Sequence, residues 1–292
     1  MPQGRIVKAL AGYYYVQDGD AYWQCRARGV FRKRGITPLV GDEVMYEVSG
    51  SEGTVTEILP RTSELVRPPI ANIDQAILVF SLAEPAFNPQ LLDKFLVHTE
   101  AAGVEAVICL TKADLLDDGD KLAEIRRRCE QMGYPVVVTS SKGQSGLAEI
   151  RAHLAGKLSV FAGQSGVGKS SLLNALFSEL QLETAPISHK LGRGKHTTRH
   201  VELIYLPEGG WVADTPGFSS LDFHSVGDIT ELGLYFREMR ERLGECKFRG
   251  CLHVNEPNCA VRQAVDVGEI QASRYEHYLQ FLQEIKERKP RY

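Results

Sequence analysis

Residues 163–170 read GQSGVGKS, and they hold the densest chemistry in the chain: Gly163, Gln164, Ser165, Gly166, Val167, Gly168, Lys169 and Ser170, followed by Ser171. The spacing G-x-x-x-x-G-K-[ST] lets backbone N–H groups curl around phosphate oxygens, and a helix starting at its end adds a partial positive charge. The apolar run 158–162 predicts a strand before the loop, and 170–178 predicts a helix after it. In that setting Lys169 reaches the β- and γ-phosphates and the Ser170 hydroxyl is placed to ligate Mg²⁺. A glycine-rich turn alone is often structural, but here lysine, serine and both flanking elements are present.

Three further motifs fit the same site. Trp211 to Gly217 read WVADTPG: an aspartate ending an apolar strand, Asp214, can hold the magnesium shell, and Gly217 can offer its N–H to a γ-phosphate. Thr111, Lys112, Ala113 and Asp114 follow the predicted strand 105–110. An aspartate there suits the N1–H and exocyclic amine of guanine, which adenine lacks, and the Lys112 stem can lie along the base. Ser140, Ser141 and Lys142 follow another strand and can present backbone N–H to guanine O6. Each turn alone has a common loop composition, but both end strands, where open α/β sheets bind ligands. The order is informative: the base-reading turns precede the phosphate loop, whereas most regulatory GTPases have them last. A circular permutation keeps one site and moves the termini, so closure of the phosphate-sensing segment is expected to pull on the C-terminal domain.

A second chemistry lies near the C-terminus. Cys246, Cys251, His253 and Cys259 supply three thiolates and one imidazole, a closed tetrahedral set for a structural Zn²⁺. Six cysteines in all are too few for a disulfide framework; Cys109 reads as core packing, and Cys25 and Cys129 have no neighbours suggesting metal or redox work. Two basic stretches carry no acid: Arg26, Arg28, Arg32, Lys33 and Arg34, and residues 188–200 with Lys190, Arg193, Lys195 and Arg199. Such runs are either solvated faces or nucleic-acid contacts, and Tyr22, Trp23 and Phe31 stand near the first for stacking.

These residues need elements to position them. Residues 1–66 read as five short Val/Ile/Tyr-rich strands broken by turns, which suits a small closed barrel of the OB type. The Arg67, Pro68, Pro69 run marks a boundary. Residues 67–225 alternate apolar strands with amphipathic helices, an α/β domain with a largely parallel sheet. Residues 226–292 read as helical around the cysteine cluster, with Tyr275, Tyr278, Leu279, Leu282 and Ile285 forming a stripe that packs on a neighbour. The 292 residues thus divide into three domains. At 43% hydrophobic and 24% charged the chain has the composition of a globular protein, and no apolar run reaches the ~20 residues that span a bilayer. A cytoplasmic monomer with no membrane association is expected. A net charge of −3 excludes a polycation, so any nucleic-acid contact must gather its basic residues on one face.

TKAD, GQSGVGKSSLLN, GRGKHTTRH, DTPGF and CKFRGCLHVNEPNC together resemble the circularly permuted ribosome small-subunit-dependent GTPase A family (RsgA/YjeQ) over essentially the whole chain. The resemblance implies GTP hydrolysis stimulated by the 30S subunit late in its maturation, binding to 16S rRNA and to GTP or GDP, and contact with other assembly factors. Phe218 stands where many GTPases place the glutamine that orients water, and a phenyl ring cannot do that. By resemblance and by chemistry His196 takes the role, and Thr197 or Thr198 binds Mg²⁺. One departure is Thr111, where such GTPases usually carry Asn; it bears on loop tethering and base contact and predicts a modest guanine affinity. A small-molecule P-loop kinase, or an RNA-binding module with a degenerate nucleotide site, fits less well. The former leaves the barrel and zinc cluster without a use, the latter the intact Lys169, Ser170 and Asp214.

Overall fold

The computed structural model describes residues 1–66, 68–116, 118–140, 145–178, 201–214, 221, 223 and 226–287. At the N-terminus β1 (Gln3–Leu10), β2 (Tyr13–Asp18), β3 (Ala21–Ala27), β4 (Glu43–Ser49) and β5 (Glu52–Ile58) pair in the order β1-β2-β3-β5-β4, and β4 returns to β1. The sheet is therefore a closed five-stranded barrel without an edge. Its inward residues alternate along the strands, so that Ile6, Val16, Cys25, Val44, Tyr46 and Val55 are buried. A short helix, α1 (Gly29–Lys33), leaves β3 and plugs the barrel with Phe31.

The barrel is laced to the segment after it. Asp42, fully buried, takes a bidentate pair from Arg61 at 2.7 and 2.8 Å, and Arg61 also donates to the Thr37 carbonyl. The proline run does not end regular structure there: β6 (Glu64–Val66) and β7 (Pro69–Ala71) form a two-stranded hairpin with Pro69 as the first residue of its second strand, a position that tolerates proline.

The α/β domain carries β8 (Gln75–Ser81), β9 (Glu105–Thr111), β10 (Val136–Val138), β11 (Leu158–Ala162), β12 (Glu202–Tyr205) and β13 (Trp211–Asp214). Their order is β10-β9-β8-β11-β13-β12, parallel except for β12. Helices α2 (Pro89–Ala101), α3 (Gly119–Gln131), α4 (Leu147–Leu154) and α5 (Lys169–Ser178) cover it. β8 is buried along its whole length, as a central parallel strand must be. β12, the outer strand, is covered by barrel strand β1 through the register pair Lys8 and Glu202, whose side chains meet at 3.1 Å. The two sheets thus run on as one.

The C-terminal part holds α6 (Arg237–Arg240), α7 (Ala260–Asp266) and α8 (Ala272–Lys286), with 3₁₀ turns on either side of α6 at Ile229–Tyr235 and Leu243–Glu245. Tyr278, Phe281 and Leu282 of α8 bury into a core of its own, to which α2 lends Val97.

Candidate functional site

The nucleotide motifs meet at the C-terminal ends of β8, β9, β10 and β11. The phosphate loop leaves β11 at Gly163, whose φ of +148° and closeness to β8 admit only glycine: a Cβ there would sit 2.2 Å from the Val79 carbonyl oxygen. Lys169 opens α5, and its ammonium donates to the carbonyls of Gly163 at 2.7 Å and Gln164 at 2.6 Å. Burial pulls its pKa below the ordinary lysine value, so an anion beside it restores a charge that desolvation disfavours. Ser170 and Ser171, both exposed, stand in the first turn of α5. Such a hydroxyl at a helix start suits Mg²⁺, which takes few protein oxygens and keeps its waters.

Thr111 ends β9 and is buried. Its hydroxyl lies 2.5 Å from the Val167 carbonyl, to which it donates, and 3.2 Å from that of Phe80. The tether that an asparagine amide would make is therefore made by a threonine hydroxyl. Lys112 follows in the left-handed region at φ 60°, a conformation that non-glycine residues adopt at a cost of about 1–3 kcal/mol and that clusters at functional sites. Its Nζ donates to the Gly166 carbonyl at 2.7 Å and also to that of Glu84, so the stem bridges the base-reading turn and the phosphate loop. Asp114 is exposed and accepts from the Ser140 hydroxyl at 2.9 Å. Thr111, Lys112, Thr139, Ser140, Ser171 and Ala175 line a cleft of about 150 Å³. It has one apolar wall, a lysine stem across one side and a carboxylate nearby, a shape that takes a planar base bearing N–H donors.

Asp214 is described by its backbone, as the last residue of β13 in register with Glu202. Ser141, Lys142, His196, Thr197, Thr198 and Gly217 lie outside the described residues, as do Phe218 and the basic stretch within 188–200.

The second cluster is compact. The ligand atoms of Cys246, Cys251, His253 and Cys259 all lie within 4.8 Å of one another. His253 Nδ1 is 3.6 Å from Cys246 Sγ and 3.3 Å from Cys259 Sγ. A tetrahedron with arms of about 2.0–2.3 Å has edges of about 3.3–3.8 Å, so three sulfurs and one nitrogen here fit Zn²⁺. Burial lowers the His253 pKa and favours the neutral imidazole that a metal needs. The loop is braced by Glu256, which accepts from the N–H groups of Leu252, Val254 and Asn255, and by Tyr275, whose hydroxyl donates to the His253 carbonyl at 2.6 Å.

Arg26, Arg28, Arg32, Lys33 and Arg34 are all exposed or half-exposed. Arg26, Arg28 and Arg32 line an open groove of the barrel with Gly12, Tyr13 and Thr37. Of the rings read in sequence, Phe31 is largely buried and lines the same groove, Trp23 packs against the core, and Tyr22 is exposed and stacks on Tyr15. The ring beside the guanidinium of Arg26 is Tyr13, at 4.8 Å, a cross-strand pair that no local spacing reveals. Arg28 is partly neutralised by Glu47 at 3.1 Å.

A parallel sheet with a phosphate loop after one strand and a base-reading turn after another, joined in permuted chain order, defines a circularly permuted P-loop GTPase. Comparisons with known proteins agree. The family described as RsgA GTPase matches residues 58–224, and the RsgA N-terminal domain matches residues 3–55. The small ribosomal subunit biogenesis GTPase RsgA of Bacillus velezensis is 59% identical over 298 residues, and that of Bacillus subtilis 56% identical over 300, each pairing covering 100% of both chains. Among solved structures, YloQ, described as a circularly permuted GTPase, superposes with a TM-score of 0.85 at 50% identity, covering 100% of this chain and 97% of that one. YjeQ from Thermotoga maritima gives 0.86 at 37% identity, covering 99% of each. The chain belongs to the RsgA GTPase family and is a GTP hydrolase.

Proposed function

We propose that this chain is a GTPase of small-subunit assembly, which binds the 30S subunit through 16S rRNA and turns over GTP faster when bound, late in subunit maturation. The observation that carries the reading is the junction of the phosphate loop with a guanine-type turn, Thr111 to Val167 and Lys112 to Gly166. It occurs in a chain alike over full length to proteins named small ribosomal subunit biogenesis GTPase.

In this reading Asp114 pairs with guanine, Lys112 covers the base, and Ser140, Ser141 and Lys142 close on O6. The backbone of Gly163 through Gly168 cradles the phosphates with Ser171 behind. Lys169 neutralises the β- and γ-oxygens, and Ser170, Asp214 and Thr197 or Thr198 hold Mg²⁺, with Gly217 donating to the γ-phosphate. Bound Mg²⁺ supplies charge neutralisation at the phosphates. His196 orients the attacking water and takes its proton. Cys246, Cys251, His253 and Cys259 hold a structural Zn²⁺. Arg26, Arg28, Arg32, Lys33 and Arg34 grip rRNA. The parts are 1–66 for RNA, 67–225 for GTP and 226–292 for zinc, in a cytoplasmic monomer that meets other assembly factors on the subunit. No helix among the described residues is long and apolar enough to cross a membrane.

The test is GTP turnover with and without purified small subunits. Subunits are expected to raise the rate, and His196→Ala to lower the stimulated rate by about 10²-fold at unchanged GTP affinity. A rate indifferent to subunits overturns the subunit reading and leaves a GTPase with another partner.

A further inference from the structure

Arg61 stands where the barrel passes into the nucleotide domain, midway between the end of β5 and the start of β6. Its guanidinium reaches back to the loop 36–42. Nε and Nη2 hold the two oxygens of Asp42 at 2.7 and 2.8 Å, Nη2 also donates to the Thr37 carbonyl at 2.8 Å, and Nη1 pairs with Glu64 of β6 at 2.7 Å. Asp42 accepts from the Leu39 N–H at 2.7 Å as well. A fully buried carboxylate cannot part from its cation without leaving a desolvated charge unpaired, so the loop is held where it lies.

That loop is one rim of the basic groove. Ile36, Thr37 and Pro38 line the groove together with Arg26, Arg28 and Arg32. Residues 36–39 belong to no helix or strand, so the shape of the rim comes from its tethers. The far end of the loop is tied to the hairpin. Gly41, at φ +94°, comes so close that a Cβ would sit 2.0 Å from the Ala71 carbonyl oxygen. The Ala71 N–H donates to the Val40 carbonyl at 2.9 Å, and Asn72 donates from Nδ2 to that of Gly41 at 3.1 Å while accepting from the Thr62 N–H at 2.9 Å. Two residues on, Asp74 accepts from the Leu158 N–H at 2.7 Å, at the start of β11, the strand that ends at the phosphate loop.

We propose that Arg61 is a positioning residue for subunit binding: by fastening the groove rim to the segment that leads into the nucleotide domain, it holds the basic groove in one shape and at one angle to the GTP site. This role rests on the reading of the groove as the rRNA contact. The guanidinium is engaged with Asp42, Thr37 and Glu64, so it acts through the rim and not on phosphates. Its loss leaves the number of phosphate contacts unchanged but lets the groove populate other shapes, and the apparent affinity falls by the fraction of time the groove is formed.

The test is binding of the full-length protein to purified small subunits at several salt concentrations, with intrinsic GTP turnover and melting temperature recorded for each variant. Arg61→Lys keeps a cation for Asp42 but not the planar fork that also reaches Thr37. It is expected to weaken binding by about 10-fold, as for a groove formed about one-tenth of the time. Its salt slope of log K should stay within about 0.3 of wild type, since each lost phosphate contact would change it by roughly 0.7–0.9. Intrinsic GTP turnover should be that of wild type. Asn72→Gly cuts the tie to Gly41 and leaves Arg61 and Asp42 in place, and glycine adopts the φ of 57° freely. It should weaken binding by about threefold at unchanged slope, and it carries the test alone if the Lys variant melts early. Wild-type affinity in the folded variants overturns the proposal. So does a slope reduced by a whole contact, which would mean that Arg61 holds RNA itself or that the barrel has come apart. Arg26→Ala combined with Arg28→Ala separates the two readings. If that pair leaves affinity and slope unchanged, the groove is not the RNA contact, and the proposal falls with it. If it lowers both while the Arg61 and Asn72 variants bind as wild type, the positioning alone is wrong.

Discussion

Thr111 joins base reading to phosphate binding with a single proton. Its hydroxyl donates to the Val167 carbonyl from a buried position, so Thr111→Val removes the donor at nearly constant volume and strands that carbonyl. An unsatisfied buried acceptor costs about 1–3 kcal/mol, and the expected result is GTP affinity weaker by roughly tenfold or more. Thr111→Asn is expected to keep the tether. Nucleotide titration of the two variants decides it, and equal affinities for Val and Thr would show that the phosphate loop holds its shape unaided. In the proposed reading the carboxylate of Asp114 sets the base. Asp114→Asn is expected to lose affinity for GTP and gain it for xanthosine triphosphate, because the amide can donate to the carbonyl that replaces the exocyclic amine. A competition assay with unchanged preference would remove Asp114 from the base pocket. At the metal cluster, burial pushes the Cys251 thiol up to about 12 and raises Cys259 as well. These thiols are therefore protonated at neutral pH without metal, and zinc must displace the protons. Zinc added to stripped protein in weak buffer should release protons, and its apparent affinity should fall as the pH falls. Uptake without proton release would mean that the thiols are not the ligands.

Among the elements, α2 carries the most. Leu92, Phe95 and Leu96 face the core under the sheet, Val97 faces the C-terminal core, and Asp93 and Glu100 hold that domain's arginines. Burial alone would lower the Arg274 pKa, but Asp93 and Glu238 beside it hold the guanidinium charged. Removing one member of such a cluster leaves the others buried and unpaired, so Arg274→Met should destabilise the protein by about 3–5 kcal/mol. Denaturant unfolding is the measurement, and a loss within about 0.5 kcal/mol, as at an ordinary surface site, would mean that water reaches the cluster. These pairs anchor the C-terminal part on α2.

For the whole molecule, the central fact is one sheet that runs from the barrel to the nucleotide site. Lys8, Glu202 and Asp214 form a row of register partners across β1, β12 and β13. Strand β3, which carries Arg26 beside the basic groove, and the strand end that carries Asp214 therefore belong to one continuous sheet. Beyond β3, replacing Arg32, Lys33 and Arg34 with Ala should weaken small-subunit binding. The salt dependence of log K should flatten by about two to three units, at roughly 0.7–0.9 per phosphate contact. Intrinsic GTP turnover should stay at the wild-type level, since the cleft lies in another domain. Binding and salt slope that both survive would make the patch a solvated face.

Short-range pattern carried much of this. The loop 163–170, the turn 111–114, the barrel strands and the four residues of the Cys/His cluster are fixed by spacing along the chain, because a strand, a turn or a knuckle needs only its neighbours to form. Chain order alone also revealed the permutation. What spacing could not supply were the partners. Arg274 meets Asp93 across 181 positions, Lys8 meets Glu202 across 194, and Thr111 meets Val167 across 56. The hairpin over the prolines and the pairing of Tyr13 with Arg26 beside the basic groove likewise depend on which surfaces pack together. Local sequence limits each segment to a few shapes, but charge pairing and burial are properties of atoms that meet only after the chain has folded, so those contacts were decided by the tertiary structure.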